Sequence, residues 1–130
     1  MPTKIRGLGE IALRVADLAA MRRFYEDVLG LEVLGVFEKI VFFRIAAGHG
    51  GHTQVLALFD REGVVRPQTT TLDHLAFTID LEDFETERAR PQTLGLKVEL
   101  ATHAWVHWRS LYVRDPEGNN VELVCYDAVV

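Results

Sequence analysis

The chain has little that would support a disulfide scaffold, a cysteine-based zinc site or a membrane anchor. Its 130 residues include a single cysteine, Cys125, which excludes an internal disulfide. No apolar run approaches the roughly 20 residues that cross a bilayer. Lys4 and Arg6 are followed by no apolar segment of the kind found in secretory leaders. We therefore expect a reduced, cytoplasmic setting and no membrane partner.

Basic residues are also scarce. The 14 Lys and Arg are outnumbered by 19 Asp and Glu, the net charge is -5, and no basic cluster occurs. A nucleic-acid partner is therefore not expected. The 48% hydrophobic and 25% charged content is ordinary for a globular protein. This length predicts one domain over residues 1–130.

The first half of the chain is predicted to have the order β-α-β-β-β. Residues 10–16 predict a strand. Asp17 is suited to cap an amphipathic helix over 18–29, and Gly30 is suited to end it. Three further strands are predicted over 31–36, 39–46 and 53–59.

The second half repeats this order after a polar connector over 60–71. A strand is predicted over 73–79, Asp80 is expected to cap a helix over 81–90, and Pro91 is expected to end it. Residues 94–98 are predicted to lead into the next strand. The last two strands are predicted over 109–114 and 120–126.

An internal repeat supports this division. Residues 10–15 align with 74–79 at an offset of 64, and residues 29–33 align with 94–98 at an offset of 65. We predict an α+β fold of two tandem βαβββ modules, at about residues 5–60 and 72–127. Their concave sheet faces are expected to form a cavity.

The segment 112–123, Tyr-Val-Arg-Asp-Pro-Glu-Gly-Asn-Asn-Val-Glu-Leu, predicts a strand, a type I turn and a second strand. Glu122 stands out because its neighbours in that strand are apolar. A carboxylate in a buried strand is costly unless it is paired or bound to a metal. One interpretation is that Glu122 faces solvent on an edge strand or meets Arg114; the other is that it binds a metal.

A tandem βαβββ chain that ends in this segment resembles the vicinal oxygen chelate superfamily. That superfamily includes glyoxalase I, extradiol dioxygenases, fosfomycin-resistance enzymes and bleomycin-resistance proteins. The resemblance covers about residues 5–127. It implies a curved eight-stranded mixed sheet around a cavity, a homodimer and a small-molecule substrate or ligand. It does not select one reaction, because one fold supports many sites.

The resemblance also implies a divalent metal bound by the first and last strands of the modules. Carried over residue by residue, the ligands are Glu10, His74 and Glu122. The fourth position falls on an apolar residue, at Val55, Leu56 or Ala57. Three ligands leave positions for water and for a bidentate oxygen substrate. One imidazole and two carboxylates favour Fe²⁺ or Mn²⁺, with Zn²⁺, Ni²⁺ and Co²⁺ as alternatives.

Tyr112 and the segment 103–109 supply further candidates. The resemblance places Tyr112 against substrate, where its phenol would donate to an oxyanion; the alternative is a core tyrosine. The segment 103–109 is predicted to be a loop at the mouth of the cavity. It contains two candidates for proton transfer, His103 and His107, and three candidates for substrate binding, Trp105, Trp108 and Arg109. The alternative is an aromatic lid or a dimer contact.

These residues leave several functions open. The first is a metal-dependent enzyme, dioxygenase-like or a glyoxalase-like lyase or isomerase, acting on a substrate that chelates the metal through vicinal oxygens. The second is a metal-free, ligand-sequestering protein of the bleomycin-resistance type, with the ligand between Trp105 and Trp108. The third is a structural member in which Glu10 pairs with His74. Bound metal discriminates between the first function and the other two.

Overall fold

The computed structural model describes residues 3–62 and 72–130. The chain divides into two compact units, Met1–Val65 and Arg66–Val130, and each unit carries one βαβββ module. The predicted α+β class with two tandem modules is confirmed. Most of the predicted connector over 60–71 lies outside the described residues.

The first unit contains a mixed sheet in the strand order β1-β4-β3-β2. The β1 strand is parallel to β4, and the other neighbours are antiparallel. The strands are β1 (Glu10–Val15), β2 (Glu32–Val36), β3 (Ile40–Ala46) and β4 (Gln54–Asp60). Helix α1 (Leu18–Arg23) continues into a π-helical turn, Phe24–Val28.

The second unit contains a mixed sheet with the equivalent order, β5-β8-β7-β6. The β5 strand is parallel to β8, and the other neighbours are antiparallel. The strands are β5 (His74–Thr78), β6 (Glu99–His103), β7 (Trp108–Arg114) and β8 (Asn120–Tyr126). A 3₁₀ turn, Leu81–Asp83, precedes helix α2 (Phe84–Thr93).

The first helical segment begins at the predicted residue and ends at Val28, one residue before the predicted end. The Asp17 carboxylate accepts from the Ala20 backbone N–H at 3.0 Å, as an N-cap should. Gly30 follows the last turn with a φ of 72°, a conformation that glycine adopts without a Cβ penalty. Tyr25 is fully buried, and its ring centroid lies 6.3 Å from that of Phe43 in β3. The helix therefore covers one face of the first sheet.

The second helix differs from the prediction at both ends. The Asp80 side chain makes no capping bond, and the turn after it is 3₁₀. Pro91 lies inside α2, so the prediction that it ends the helix is wrong. Pro91 is tolerated because the helix ends within one turn, where Gly95 has a φ of 81° and Leu96 N–H donates to the Pro91 carbonyl at 2.9 Å.

Hydrogen bonding groups the eight strands of residues 3–62 and 72–130 into two four-stranded sheets, one in each unit. The predicted cavity between concave sheet faces stays a prediction. In the same two ranges, no helix is both long enough and apolar enough to cross a membrane.

Candidate functional site

The β7–β8 hairpin sets the register of the site. Gly118 N–H donates to the Asp115 carbonyl at 3.0 Å, which closes the predicted turn. The buried Asp115 carboxylate also accepts two backbone N–H groups and one side-chain amide of the turn. This turn places Tyr112 directly opposite Glu122.

Glu122 lies on an internal strand, because β8 runs between β5 and β7. Glu122 is only 6% exposed, which excludes the interpretation that it faces solvent on an edge strand. Both carboxylate oxygens have partners. The Ser110 hydroxyl donates to Oε2 at 2.6 Å, and Oε1 lies 3.2 Å from His74 Nε2. A buried carboxylate held at both oxygens is the expected state of an anion inside a sheet.

His74 is held from its other ring nitrogen. His74 Nδ1 lies 2.7 Å from Asp73 Oδ2, so the Nδ1–H donates to that carboxylate. In a neutral ring this leaves the Nε2 lone pair facing the Glu122 carboxylate. Two electron-rich groups 3.2 Å apart need a proton or a metal cation between them. Carboxylate–histidine contacts of this kind orient histidine ligands in metal sites.

These contacts fit a divalent metal. Ligands bound about 2.1 Å from one ion at right angles lie about 3 Å apart, close to the 3.2 Å between His74 Nε2 and Glu122 Oε1. The donor set is an imidazole nitrogen and a carboxylate oxygen, each oriented by a second group. The spacing of these two atoms therefore suits two ligands of one ion.

Tyr112 lies beside this pair. Burial, then the negative charge of Glu122, raises the pKa of the Tyr112 phenol, so the hydroxyl stays protonated and able to donate. His103 Nε2 lies 3.2 Å from the Tyr112 hydroxyl oxygen. The structure thus brings His103 into contact with Tyr112, and Tyr112 pairs with Glu122 across β7 and β8. We call the side of the second sheet that carries His74, Ser110, Tyr112 and Glu122 the polar face.

The segment 103–109 is not a loop. His103 ends β6 and pairs with Trp108, which begins β7, so the segment is a β-hairpin closed by residues 104–107. The prediction missed this because the segment lacks the Asn-Gly or Asp-Gly signal of a tight hairpin turn. His107 takes the left-handed position instead, with a φ of 58°.

The hairpin separates the candidates of this segment. Trp108 is 44% exposed and lies on the polar face, two residues before Ser110. Trp105 is 84% exposed in the turn. His107 Nδ1 lies 2.7 Å from the Val130 carbonyl oxygen, so this imidazole contacts the backbone at residue 130. This geometry supports a structural role for His107 rather than the predicted proton transfer.

Arg109 points to the helix side of the second sheet. Its Nε and Nη2 donate to Asp127 Oδ2 at 3.0 and 2.8 Å, and its guanidinium carbon lies 5.5 Å from the Phe84 ring centroid in α2. Successive residues of a strand face opposite sides, so Ser110 and Arg109 cannot share one face. The predicted contact of Arg109 with substrate has no support in this geometry.

The first module carries apolar residues where the second carries the polar cluster. In β1–β4 the residue opposite Ala12 is Ala57, and in β5–β8 the residue opposite Ala76 is Glu122. Ala57 is therefore the counterpart of Glu122, which selects one of the three residues considered for the fourth position. By the same register Phe42 and Ile40 are the counterparts of Tyr112 and Ser110. Glu10, which begins β1, is the counterpart of His74, which begins β5.

Two residues of the cluster were missed by the sequence analysis. Asp73 directly precedes a candidate histidine, which is the simplest signal for an orienting carboxylate. Ser110 lies two residues before Tyr112 and so shares its face of β7. A hydroxyl among buried β7 residues could have indicated a partner for the buried acid on the next strand.

Comparison with known proteins places the chain in a family. The model of the Glyoxalase/Bleomycin resistance protein/Dioxygenase superfamily matches residues 7–123. The chain belongs to this superfamily. The predicted resemblance to the vicinal oxygen chelate proteins is thereby confirmed.

Members of the superfamily match most of the chain. Metallothiol transferase FosB of Staphylococcus epidermidis is 26% identical over 133 aligned residues, which cover 92% of this chain and 82% of the relative. The structure of a glyoxalase/dioxygenase from Nostoc punctiforme matches with a TM-score of 0.79 and 27% identity, over 98% of this chain and 95% of the other. Lactoylglutathione lyase from Agrobacterium tumefaciens matches with a TM-score of 0.72 and 30% identity, over 95% and 96% of the two chains.

Proposed function

We propose that the protein is a divalent-metal-dependent enzyme of this superfamily. Its substrate would be a small molecule that chelates the metal through two vicinal oxygens. The observation that carries this proposal is the 3.2 Å contact between His74 Nε2 and Glu122 Oε1. Asp73 contacts the other ring nitrogen of His74, and Ser110 donates to the other carboxylate oxygen of Glu122.

The proposed ligands within the second unit are His74 and Glu122, and the resemblance to the superfamily adds Glu10 as a third. Glu10 is included because it is the counterpart of His74 in the first module and a carboxylate is a competent ligand there. The counterpart of Glu122 is Ala57, which offers no donor atom, so three protein ligands remain. Two carboxylates and one imidazole favour Mn²⁺ or Fe²⁺. When bound, the ion supplies Lewis-acid stabilisation of an enolate, catecholate or alkoxide.

Side chains of the second unit would stabilise the oxyanion, transfer the proton and contact the substrate. The Tyr112 hydroxyl is protonated and lies beside Glu122, so it can donate a hydrogen bond to a developing oxyanion. His103 Nε2, 3.2 Å from that hydroxyl, can take up or return a proton through the phenol. Trp108 presents an exposed aromatic surface on the same face for the apolar part of a substrate.

The names of two relatives indicate further classes of reaction to consider. FosB is named a metallothiol transferase, and the Agrobacterium protein a lactoylglutathione lyase. Both names join this fold to thiol compounds, and the first also to a metal. We therefore place lyase or transferase chemistry beside the dioxygenase-like chemistry favoured by the three-ligand set.

Metal stoichiometry tests the proposal. Protein purified without added metal is reconstituted with Mn²⁺, Fe²⁺, Ni²⁺ or Zn²⁺ and measured by elemental analysis, beside the variants Glu10→Gln, His74→Ala and Glu122→Gln. We expect close to one ion per chain, lost in His74→Ala and Glu122→Gln and bound more weakly in Glu10→Gln. His49→Ala is the matched control because His49 lies exposed in a turn between β3 and β4. Failure of every ion to bind, or equal loss in the control, would overturn the proposal.

A second candidate function is metal-free binding of a ligand. It is favoured by the exposed aromatic side chains Trp108 and Tyr126, which face each other across β7 and β8, and by the net charge of -5, which suits a cationic ligand. This function predicts ligand-dependent quenching of tryptophan fluorescence that is unaffected by chelators and by His74→Ala.

A further inference from the structure

The cationic residue Arg114 lies in one row of paired residues with the proposed metal ligand His74. Arg114 pairs with Asn120 across β7 and β8, and Asn120 pairs with His74 across β8 and β5. These three residues therefore form one row across three neighbouring strands. At a strand spacing of about 4.8 Å, the Cα atoms of Arg114 and His74 lie about 10 Å apart.

Lys97 lies two residues before Glu99, which begins β6 and pairs with Tyr112 of β7. Lys97 lines the same pocket as Arg114. This pocket is partly open to solvent and has a volume of about 110 Å³. Its lining residues are Leu96, Lys97, Glu99, Tyr112, Val113, Arg114 and Asn120. This volume corresponds to roughly four water molecules at about 30 Å³ each, which suits a carboxylate or a phosphate group.

Both cationic side chains of the pocket can donate hydrogen bonds to a bound anion. Arg114 uses Nη1 to donate to the Gly118 carbonyl at 3.1 Å, and a guanidinium has five N–H donors. Lys97 Nζ lies 3.2 Å from Glu99 Oε1, and both side chains of this pair are mostly exposed. Exposed ion pairs contribute little, so Lys97 can turn to another anion at small cost. The lining carries two cations against one carboxylate, which leaves a net positive charge.

We propose that this cationic pocket, defined by Lys97, Tyr112, Arg114 and Asn120, binds an anionic group of the substrate. The proposal rests on the function proposed above and narrows its substrate class. The substrate would carry a carboxylate, phosphate or phosphonate a few bonds from the two oxygens that chelate the metal. An arginine fork recognises such groups through paired hydrogen bonds, and Tyr112 would lie between the anion and the reacting atoms.

The probes are inorganic phosphate and acetate, titrated separately into the whole protein and followed by NMR at the Asn120 side-chain amide. We expect saturable binding of at least one anion in the millimolar range, and the tighter of the two identifies a tetrahedral or a planar group. Arg114→Gln should weaken binding about tenfold because it removes the charge-assisted donors. Lys97→Gln should weaken it less, and Lys39→Gln, which removes another exposed, ion-paired lysine, should leave it unchanged.

The outcomes separate this inference from the proposed function. Mn²⁺ binding, measured by electron paramagnetic resonance on the same variants, should be unchanged by Arg114→Gln and Lys97→Gln. Metal binding without saturable anion binding, or equal weakening by Lys39→Gln, overturns the pocket alone. Anion binding without metal binding overturns the proposed function and leaves the pocket in place. If loss of the Gly118 contact unfolds Arg114→Gln, Lys97→Gln still tests the pocket, because Lys97 takes no part in the turn.

Discussion

The hydrogen bond from Ser110 to Glu122 should contribute both to folding and to metal affinity. Ser110 is fully buried, and its hydroxyl donates to Glu122 Oε2 at 2.6 Å. A hydrogen bond to a charged group contributes about 1.5–3 kcal/mol, and the unpaired acceptor keeps its desolvation cost when the donor is removed. Ser110→Ala should therefore lower the free energy of unfolding of the metal-free protein by about 2 kcal/mol.

The same variant should weaken metal binding. Removal of a group that orients a ligand typically lowers metal affinity about 10- to 100-fold. Urea unfolding followed by circular dichroism gives the stability of the metal-free protein, and competition with a chromophoric chelator gives the Mn²⁺ affinity. Thr78→Ala is the control, because it removes a hydroxyl from the exposed end of β5 on the same sheet.

A double-mutant cycle tests the reasoning directly. If Ser110 acts through Glu122, the cost of Ser110→Ala should fall below about 0.5 kcal/mol once Glu122→Met is already present, because methionine removes the carboxylate acceptor and contacting residues are not additive. An equal cost of Ser110→Ala in both backgrounds would refute the account, as would a variant with unchanged stability and unchanged metal affinity.

Three further predictions concern the frame around the site. Asp115→Ala removes the acceptor for three hydrogen bonds of the β7–β8 turn and should lower stability by about 2–4 kcal/mol in urea unfolding. Asp127→Asn breaks the contact with the partly exposed Arg109 and should cost about 1–3 kcal/mol, yet leave metal stoichiometry unchanged, since Arg109 faces the helix. Burial, chiefly, raises the pKa of the Cys125 thiol, so the thiolate is scarce at neutral pH. Alkylation by iodoacetamide should thus be slow in native protein and fast in urea; rapid native alkylation would contradict this burial.

Much of the fold follows from short-range chemistry that a sequence displays. Asp17 caps the first helix because its carboxylate reaches a free backbone N–H, and Gly30 ends it because glycine accepts a positive φ. The Asp115 turn was predicted from its residues and is present with the expected hydrogen bond. Pro91 shows the limit of such rules. A proline near the end of a helix loses only one hydrogen bond, and the energy of burying it is invisible in local sequence.

The candidate site was predicted in part. His74 contacts Glu122, His103 contacts Tyr112, and Tyr112 pairs with Glu122 across β7 and β8, so their residue types and spacing were informative. Arg109 was grouped with them only because it is adjacent in sequence. The pleat of β7 turns it to the other face of the sheet.

The sequence by itself therefore determined the order of elements, the ends of the first helix, the Asp115 turn and the superfamily, because each depends on residues close together in the chain or on a repeated pattern. Only the tertiary structure decided which side chains meet. Cross-strand register made Ala57 the counterpart of Glu122, brought Ser110 and His74 to its two oxygens, and placed Arg114 in the row of His74. Register depends on the pairing of distant strands, and a shift of one residue would send each of these side chains to the opposite face.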